Sequence, residues 1–119
     1  MPYSEDQLRS IDESHEVEIE TRAGDRRYRT VIWVVVDEGE VFVRSVRGKG
    51  GNWYQRALAN PEVALRVGST AIASRAVPAS DPVSIERTSE ALRRKYRGRS
   101  LEAMLLPEVL DTTVRLDPS

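Results

Sequence analysis

The chain has 119 residues, with 18 basic and 19 acidic side chains, a net charge of -1, one histidine and no cysteine. That length predicts a single domain, residues 1-119, able to bury a core without disulfide or metal staples. The missing cysteines exclude thiolate chemistry, the lone His15 excludes a multi-histidine metal site within the chain, and the charge balance argues against a nucleic-acid partner.

Residues 1-14 read as a helical extension. Ser4 and Gln7 fit a capping box, and Leu8 and Ile11 share a face. The N-terminal stretch is polar and acidic, and no apolar run reaches the ~20 residues of a membrane span, so the expectation is a cytoplasmic protein with no membrane partner. His15 to Arg22 alternates strictly, with Val17, Ile19 and Thr21 opposite Glu16, Glu18 and Glu20, as a half-solvated strand does. Ala23-Gly24-Asp25 turns the chain into Arg27 to Val36, whose VIWVVV ending suggests a strand buried on both faces. Asp37-Glu38-Gly39 turns it again into Val41 to Val46, which completes a three-stranded meander.

Asn52 to Asn60 reads as a short helix stopped by Pro61, with Asn52 as its cap. Glu62 to Val67 and Thr70 to Val77 form a hairpin about Gly68-Ser69. Asp81-Pro82 opens the longest helix, which buries Ile85, Ser89, Leu92 and Tyr96 and ends at Gly98. A helical turn over Leu101 to Leu106 precedes a last strand, Val109 to Leu116. Hairpins with helices in only two connections predict a mainly β, α+β fold: an antiparallel barrel, closed or nearly so, with two main helices and short terminal helical turns.

The chemistry concentrates in RSVRGKGGNWYQRALANP, residues 44–61. Gly48, Gly50 and Gly51 leave backbone N–H groups free to turn toward a ligand, and the helix that follows offers a partial positive charge at its start. Arg44, Arg47, Lys49 and Arg56 can surround the same spot, and together these residues suggest a phosphate cradle. It is not a P-loop, because the Lys-Ser/Thr pair is missing, and it is not a dinucleotide fingerprint, because the glycine spacing is wrong. A second basic window, RAGDRRYR, puts Arg22, Arg26, Arg27 and Arg29 around the first hairpin, which approaches the glycine loop if both cap one end of the barrel. The plainer reading is that these arginines are solvated and the glycines merely turn the chain. No acid–base constellation is legible elsewhere, since His15 stands alone and Glu16, Glu18 and Glu20 suit a wet strand face.

The runs TRAGDRRYRT and VIWVVVDEGEVFVRSVRGKGGNWYQRALANPEVALRVG resemble the split β-barrel flavin and deazaflavin oxidoreductases of the pyridoxamine-phosphate-oxidase-like fold. Within them the chain is most similar to the deazaflavin-dependent nitroreductase branch and to a bacterial domain family of unknown function assigned there. The matching positions are Thr21, Gly24, Arg27, Ser45, Arg47, Trp53, Tyr54, Leu58 and Asn60-Pro61. The resemblance implies a six-stranded split barrel, a homodimer, and a groove for FMN or the deazaflavin coenzyme. It further implies that Arg27 or Arg29 together with Arg47, Lys49 and Gly50 hold an acidic tail, with Ser45 beside the ring and Trp53 in the groove wall. Trp33 and Tyr96 are the substrate-side candidates, although both also suit the core.

Two functions follow. The first is an oxidoreductase in which the cofactor carries the hydride and the protein positions it. The second is a non-catalytic cofactor-binding or structural dimeric barrel. The second draws on three departures from the nitroreductase pattern: a shorter loop before Trp53, Asn52 in place of a proline, and no tyrosine cluster beyond Tyr96.

Overall fold

The computed structural model describes residues 2–119, folded as five helices on a curled seven-stranded antiparallel sheet. Helix α1 (Glu5–Glu13) is opened by the expected capping box of Ser4 and Gln7. Strand β1 (Val17–Ala23) pairs with β2 (Arg26–Ile32) on one side and β5 (Glu62–Val67) on the other. β5 continues as a hairpin into β6 (Thr70–Pro78), and β6 pairs with the final strand β7 (Val114–Pro118). Beyond β7 lie β4 (Glu40–Val43) and β3 (Val35–Asp37), giving the order β2-β1-β5-β6-β7-β4-β3.

The expected six strands become seven because the Arg27–Val36 run breaks in two. β2 and β3 are separated only by Trp33 and Val34, yet they occupy opposite edges of the sheet. This short link curls the sheet into an open barrel, and it replaces the anticipated three-stranded meander. At the break the backbone of Val34 leaves the ladder without being left unpaired. Its N–H donates to the Tyr96 hydroxyl at 3.2 Å, and its carbonyl accepts from Lys95 Nζ at 2.7 Å. Burial on both faces holds only beyond the break. Val34 and Val36 face the core within the barrel and Val35 the cluster under α3, whereas Val31 on the free edge of β2 is 57 % exposed.

Two apolar clusters result. The barrel core gathers Val17, Ile19, Ile32, Val41, Val43 and Leu65, closed at one end by Trp53 and Tyr54 of α2 (Asn52–Ala59). The second lies between the outer face of β3–β4 and α3 (Pro82–Lys95), where Val35 and Phe42 meet Ala91, Leu92 and Tyr96. α3 is capped by Asp81, whose side chain accepts from the Ser84 N–H at 3.1 Å, with Pro82 in the first turn. Its buried residues include Ser89 and Leu92 as expected; Ile85 is only half-buried, and the helix stops at Lys95, before Gly98.

The C-terminal segment departs most from expectation. After α4 (Arg99–Met104) the chain forms a further short helix, α5 (Pro107–Leu110), where a strand from Val109 was expected. Proline at the start of α5 favours helix geometry, and Thr112 and Thr113 then donate their hydroxyls back to Val109 and Leu110, delaying the strand to Val114. No described helix is long and apolar enough to cross a membrane.

Candidate functional site

β4 ends at Val43, and the chain passes through Arg44 to Arg47 and a 3-10 turn, Gly48–Gly50, before α2 begins. Gly48 adopts φ +68°, a conformation that a side chain would strain, and a Cβ there would lie 3.4 Å from the Glu108 carbonyl oxygen. The Ser45 hydroxyl donates to the Gly48 carbonyl at 2.8 Å, and the Gly51 N–H donates to the same carbonyl at 3.1 Å. Gly51, rather than Asn52, is the N-cap of α2, and no side chain satisfies the first turn. The leading N–H groups of the helix are therefore free of intrahelical partners. Any Cβ on Gly51 would run into Ser45 Oγ, which is why the loop carries glycine there.

This loop forms one side of a cleft of about 540 Å³. Thr30, Val31 and Ile32 at the end of β2 form another wall, and Ser100 and Met104 of α4 contribute a third. Trp33 and Trp53 bring two indoles to the lining. Trp33 stacks on Tyr96 with ring centroids 3.8 Å apart and planes within 3°. Trp53 is buried and packs edge-on to Tyr54.

Three arginines border the same space, and Glu16 is the one acid among the lining residues. Arg56 donates Nε to the Thr21 hydroxyl at 2.9 Å and lies over the Tyr28 ring at 4.1 Å, so its position is fixed. Arg47 is exposed at the loop. Arg44 is 1 % exposed and lies under the cleft. It makes four hydrogen bonds, all to neutral acceptors: Thr113 Oγ1 at 2.9 Å, Ser89 Oγ at 3.1 Å, the Met104 carbonyl at 2.9 Å and the Ile85 carbonyl at 3.1 Å. Burial, reinforced by the like charge of Arg93, pushes its pKa down to about 10, so it stays charged at neutral pH. Among the described residues no carboxylate reaches ion-pair distance of Arg44, Arg47 or Arg56.

Of the residues singled out from sequence, Ser45, Arg47, Trp53 and Trp33 meet at this cleft. Ser45 is buried with its proton committed to Gly48. Lys49 and Gly50 sit on the outer side of the loop. Lys49 pairs with Asp111 at 2.8 Å, which raises its pKa, and its carbonyl accepts from the Gln55 side chain. Arg27 and Arg29 lie on the outer face of β2 toward the hairpin tip, with Arg29 paired to Glu20 at 3.3 Å. The cleft takes Thr30, Val31 and Ile32 from the end of β2 away from the hairpin tip, and Arg56 reaches back from it to Thr21 and Tyr28. Tyr96 is buried behind Trp33, and its hydroxyl is taken up by Val34 and by the His15 carbonyl at 2.7 Å. His15 contributes its ring edge to this aromatic pair and does not line the cleft.

Gly51 was read from sequence as part of the cradle, but the start of α2 was expected to be capped by Asn52 and is not, and Arg44 and Arg56 were seen only as charges near the loop. Arg44 had a readable signal. It follows Phe42 by two residues in an alternating run, so it points to the same covered side as that ring.

Comparison with solved structures matches this fold. A protein from Listeria innocua assigned as a pyridoxamine 5'-phosphate oxidase aligns with a TM-score of 0.68 at 16% identity, over 94% of this chain and 90% of its own. A FAD-binding protein from Mesorhizobium loti aligns with a TM-score of 0.67 at 13% identity, over 98% and 91%. An F420 reductase aligns with a TM-score of 0.60 at 13% identity, over 100% and 96%. At such identities the likeness establishes the fold, that of the pyridoxamine-phosphate-oxidase-like split barrels. No curated protein matches the chain in sequence. The family model described as "Uncharacterized protein conserved in bacteria (DUF2255)" matches residues 7–116, and the chain belongs to that family.

Proposed function

We propose that the cleft binds a phosphate-bearing flavin such as FMN, or the deazaflavin coenzyme, and that the protein is an oxidoreductase acting on a small organic substrate. The observation that carries this reading is the pairing of two indoles with three acid-free arginines around one cleft. Aromatic walls suit a planar ring, and guanidinium forks beside free helix N–H groups suit an acidic tail. The bound cofactor would supply hydride or electron transfer. The chain's own residues bind and orient. Trp33 and Trp53 flank the ring, Arg47 and Arg56 hold the tail with the first turn of α2, and Ser45 keeps the loop open at Gly51.

The fold neighbours support the choice of cofactor class, since one is described as FAD-binding and another as an F420 reductase. The exposed Val31 and Val46, both at the cleft mouth, support a homodimer that covers them. Two observations favour a cofactor carrier without turnover: Glu16 is the one lining carboxylate, and the Ser45 proton is already committed within the loop.

Titrating the protein with FMN and with the deazaflavin coenzyme tests the reading, following ring fluorescence and the visible spectrum. Saturable quenching by one of them, lost in Trp53→Leu, is expected. No binding of either would overturn it. Binding without oxidation of the reduced, bound cofactor by a panel of nitroaromatics, quinones and enones would assign the carrier role instead.

A further inference from the structure

A buried charge is ordinarily matched by an opposite charge, because neutral hydrogen bonds only partly replace its hydration. Arg44 breaks that pattern. Its four acceptors are two hydroxyls and two backbone carbonyls, and the charged residue that most affects it is Arg93, of the same sign. Arg47 and Arg56 border the same cleft without a carboxylate partner among the described residues. Against these three positive charges the lining offers one carboxylate, Glu16.

We propose that Arg44 is a positioning charge whose counter-ion arrives with the ligand, so that the cleft selects a group carrying about two negative charges, a phosphate monoester or a dicarboxylate. This rests on the cleft being the ligand site proposed above, but not on the ligand's ring being a flavin. Arg44 is too buried to touch the ligand, and acts through the low-dielectric wall formed by its own strand end and Ser45. A unit charge ~10 Å away at an effective dielectric of ~20 changes affinity roughly tenfold for each ligand charge. The inference concerns charge, not shape. Were Arg44 only a clamp joining α3, α4 and the approach to β7, its replacement would weaken all ligands alike.

FMN and riboflavin share a ring and differ by the phosphate, so the ratio of their affinities isolates the charge effect. The test measures both by fluorescence titration at fixed ionic strength, with inorganic phosphate and pyrophosphate as ring-free probes in thermal shift. Wild type should prefer FMN by tenfold or more, and Arg44→Lys should keep most of that preference. Ser89→Asp places a carboxylate where the Ser89 hydroxyl now accepts from Arg44 at 3.1 Å. It should lower the ratio by roughly tenfold or more, leaving the part owed to Arg47 and Arg56, while holding or raising the melting temperature.

A wild-type ratio near one, or a preference unchanged in Ser89→Asp, would overturn the proposal while leaving flavin binding intact. Stabilisation by pyrophosphate that disappears in Ser89→Asp, with neither flavin bound, would uphold it and refute the flavin reading.

Discussion

At the start of β4, Arg87 reaches from α3 to Asp37 at 2.7 Å and Glu40 at 2.6 Å, donates to the Asp37 backbone carbonyl, and shares Asp37 with Arg94. Just past the other end of the same strand, Arg44 is more deeply buried than Arg87 and meets no acid at all. Arg47 and Arg56 beside it are likewise without one among the described residues. Where arginine fastens a helix to a hairpin, the chain supplies the counter-charge locally, in the DEGE turn. Around the cleft it does not. Arg22, Arg26, Arg27, Arg97 and Arg99 have no acid either among the described residues, but they are exposed and solvated. What sets the cleft apart is a buried guanidinium without one, and that contrast can be broken experimentally.

The largest effect should come from the clasp that separates the two regions. Tyr96→Phe removes the hydroxyl that accepts from Val34 N–H and donates to backbone carbonyls, leaving buried polar groups unpaired at a cost of about 2 kcal/mol or more. It also has a pH signature. Burial pushes the Tyr96 pKa from 10.0 up to about 12, so the folded state keeps a proton that the unfolded state loses first. Stability from this group is complete below pH 10 and falls as pH rises from there toward 12. Denaturant midpoints taken from neutral pH upward should therefore show a shallower alkaline decline in Tyr96→Phe, with a remainder from Tyr3 and Tyr54, whose pKa values are also raised by burial.

Next is the loop. Gly51→Ala drives a methyl into Ser45 Oγ and should cost about 1–3 kcal/mol, by the usual penalty for overpacking, together with most ligand affinity. The double variant Gly51→Ala, Ser45→Ala leaves the new methyl 3.4 Å from the Gly48 carbonyl oxygen and 3.6 Å from the Cβ of residue 45, and should recover part of the stability. Purely additive losses in that double-mutant cycle would show that the clash does not govern the loop.

On the paired side, Arg87→Met should cost about 1–2 kcal/mol, since it removes charge-assisted hydrogen bonds at a partly exposed site. Ligand affinity should not change. A loss of binding comparable to that of a cleft variant would erase the distinction between the two regions.

Much of this organisation was readable in the sequence where local chemistry dictates structure. Ser4 and Gln7 signalled the capping box, Asp81-Pro82 the start of α3, and Gly24 and Gly68 the hairpin turns, because each depends on neighbours a few residues away. The break at Trp33–Val34 was illegible for the opposite reason. VIWVVV is β-prone throughout, and what ends the ladder is a pair of side chains, Lys95 and Tyr96, some sixty positions along the chain. The cleft was half legible. Glycine and arginine density pointed to the right loop, but composition does not reveal which cations are already spent on acids. Lys49, bound to Asp111, and Arg29, bound to Glu20, looked the same in sequence as the unspent Arg47 and Arg56.

The smallest structural effect belongs to Arg47, and it makes the most discriminating test of the contrast. Arg47→Gln removes an exposed charge with no ion-pair partner among the described residues, so stability should stay within about 0.5 kcal/mol of wild type. Binding of a phosphate-bearing ligand should nevertheless weaken, by roughly fivefold to tenfold at low salt, and the deficit should shrink as salt screens the wild-type attraction. Lys49→Gln is the matched control. It also removes one positive charge from the same loop, but that charge is already neutralised by Asp111 at 2.8 Å. Equal losses in the two variants would mean that the loop attracts anions only through its total charge. A loss confined to Arg47→Gln would mean that the cleft draws on the one cation of this pair with no acid bound to it.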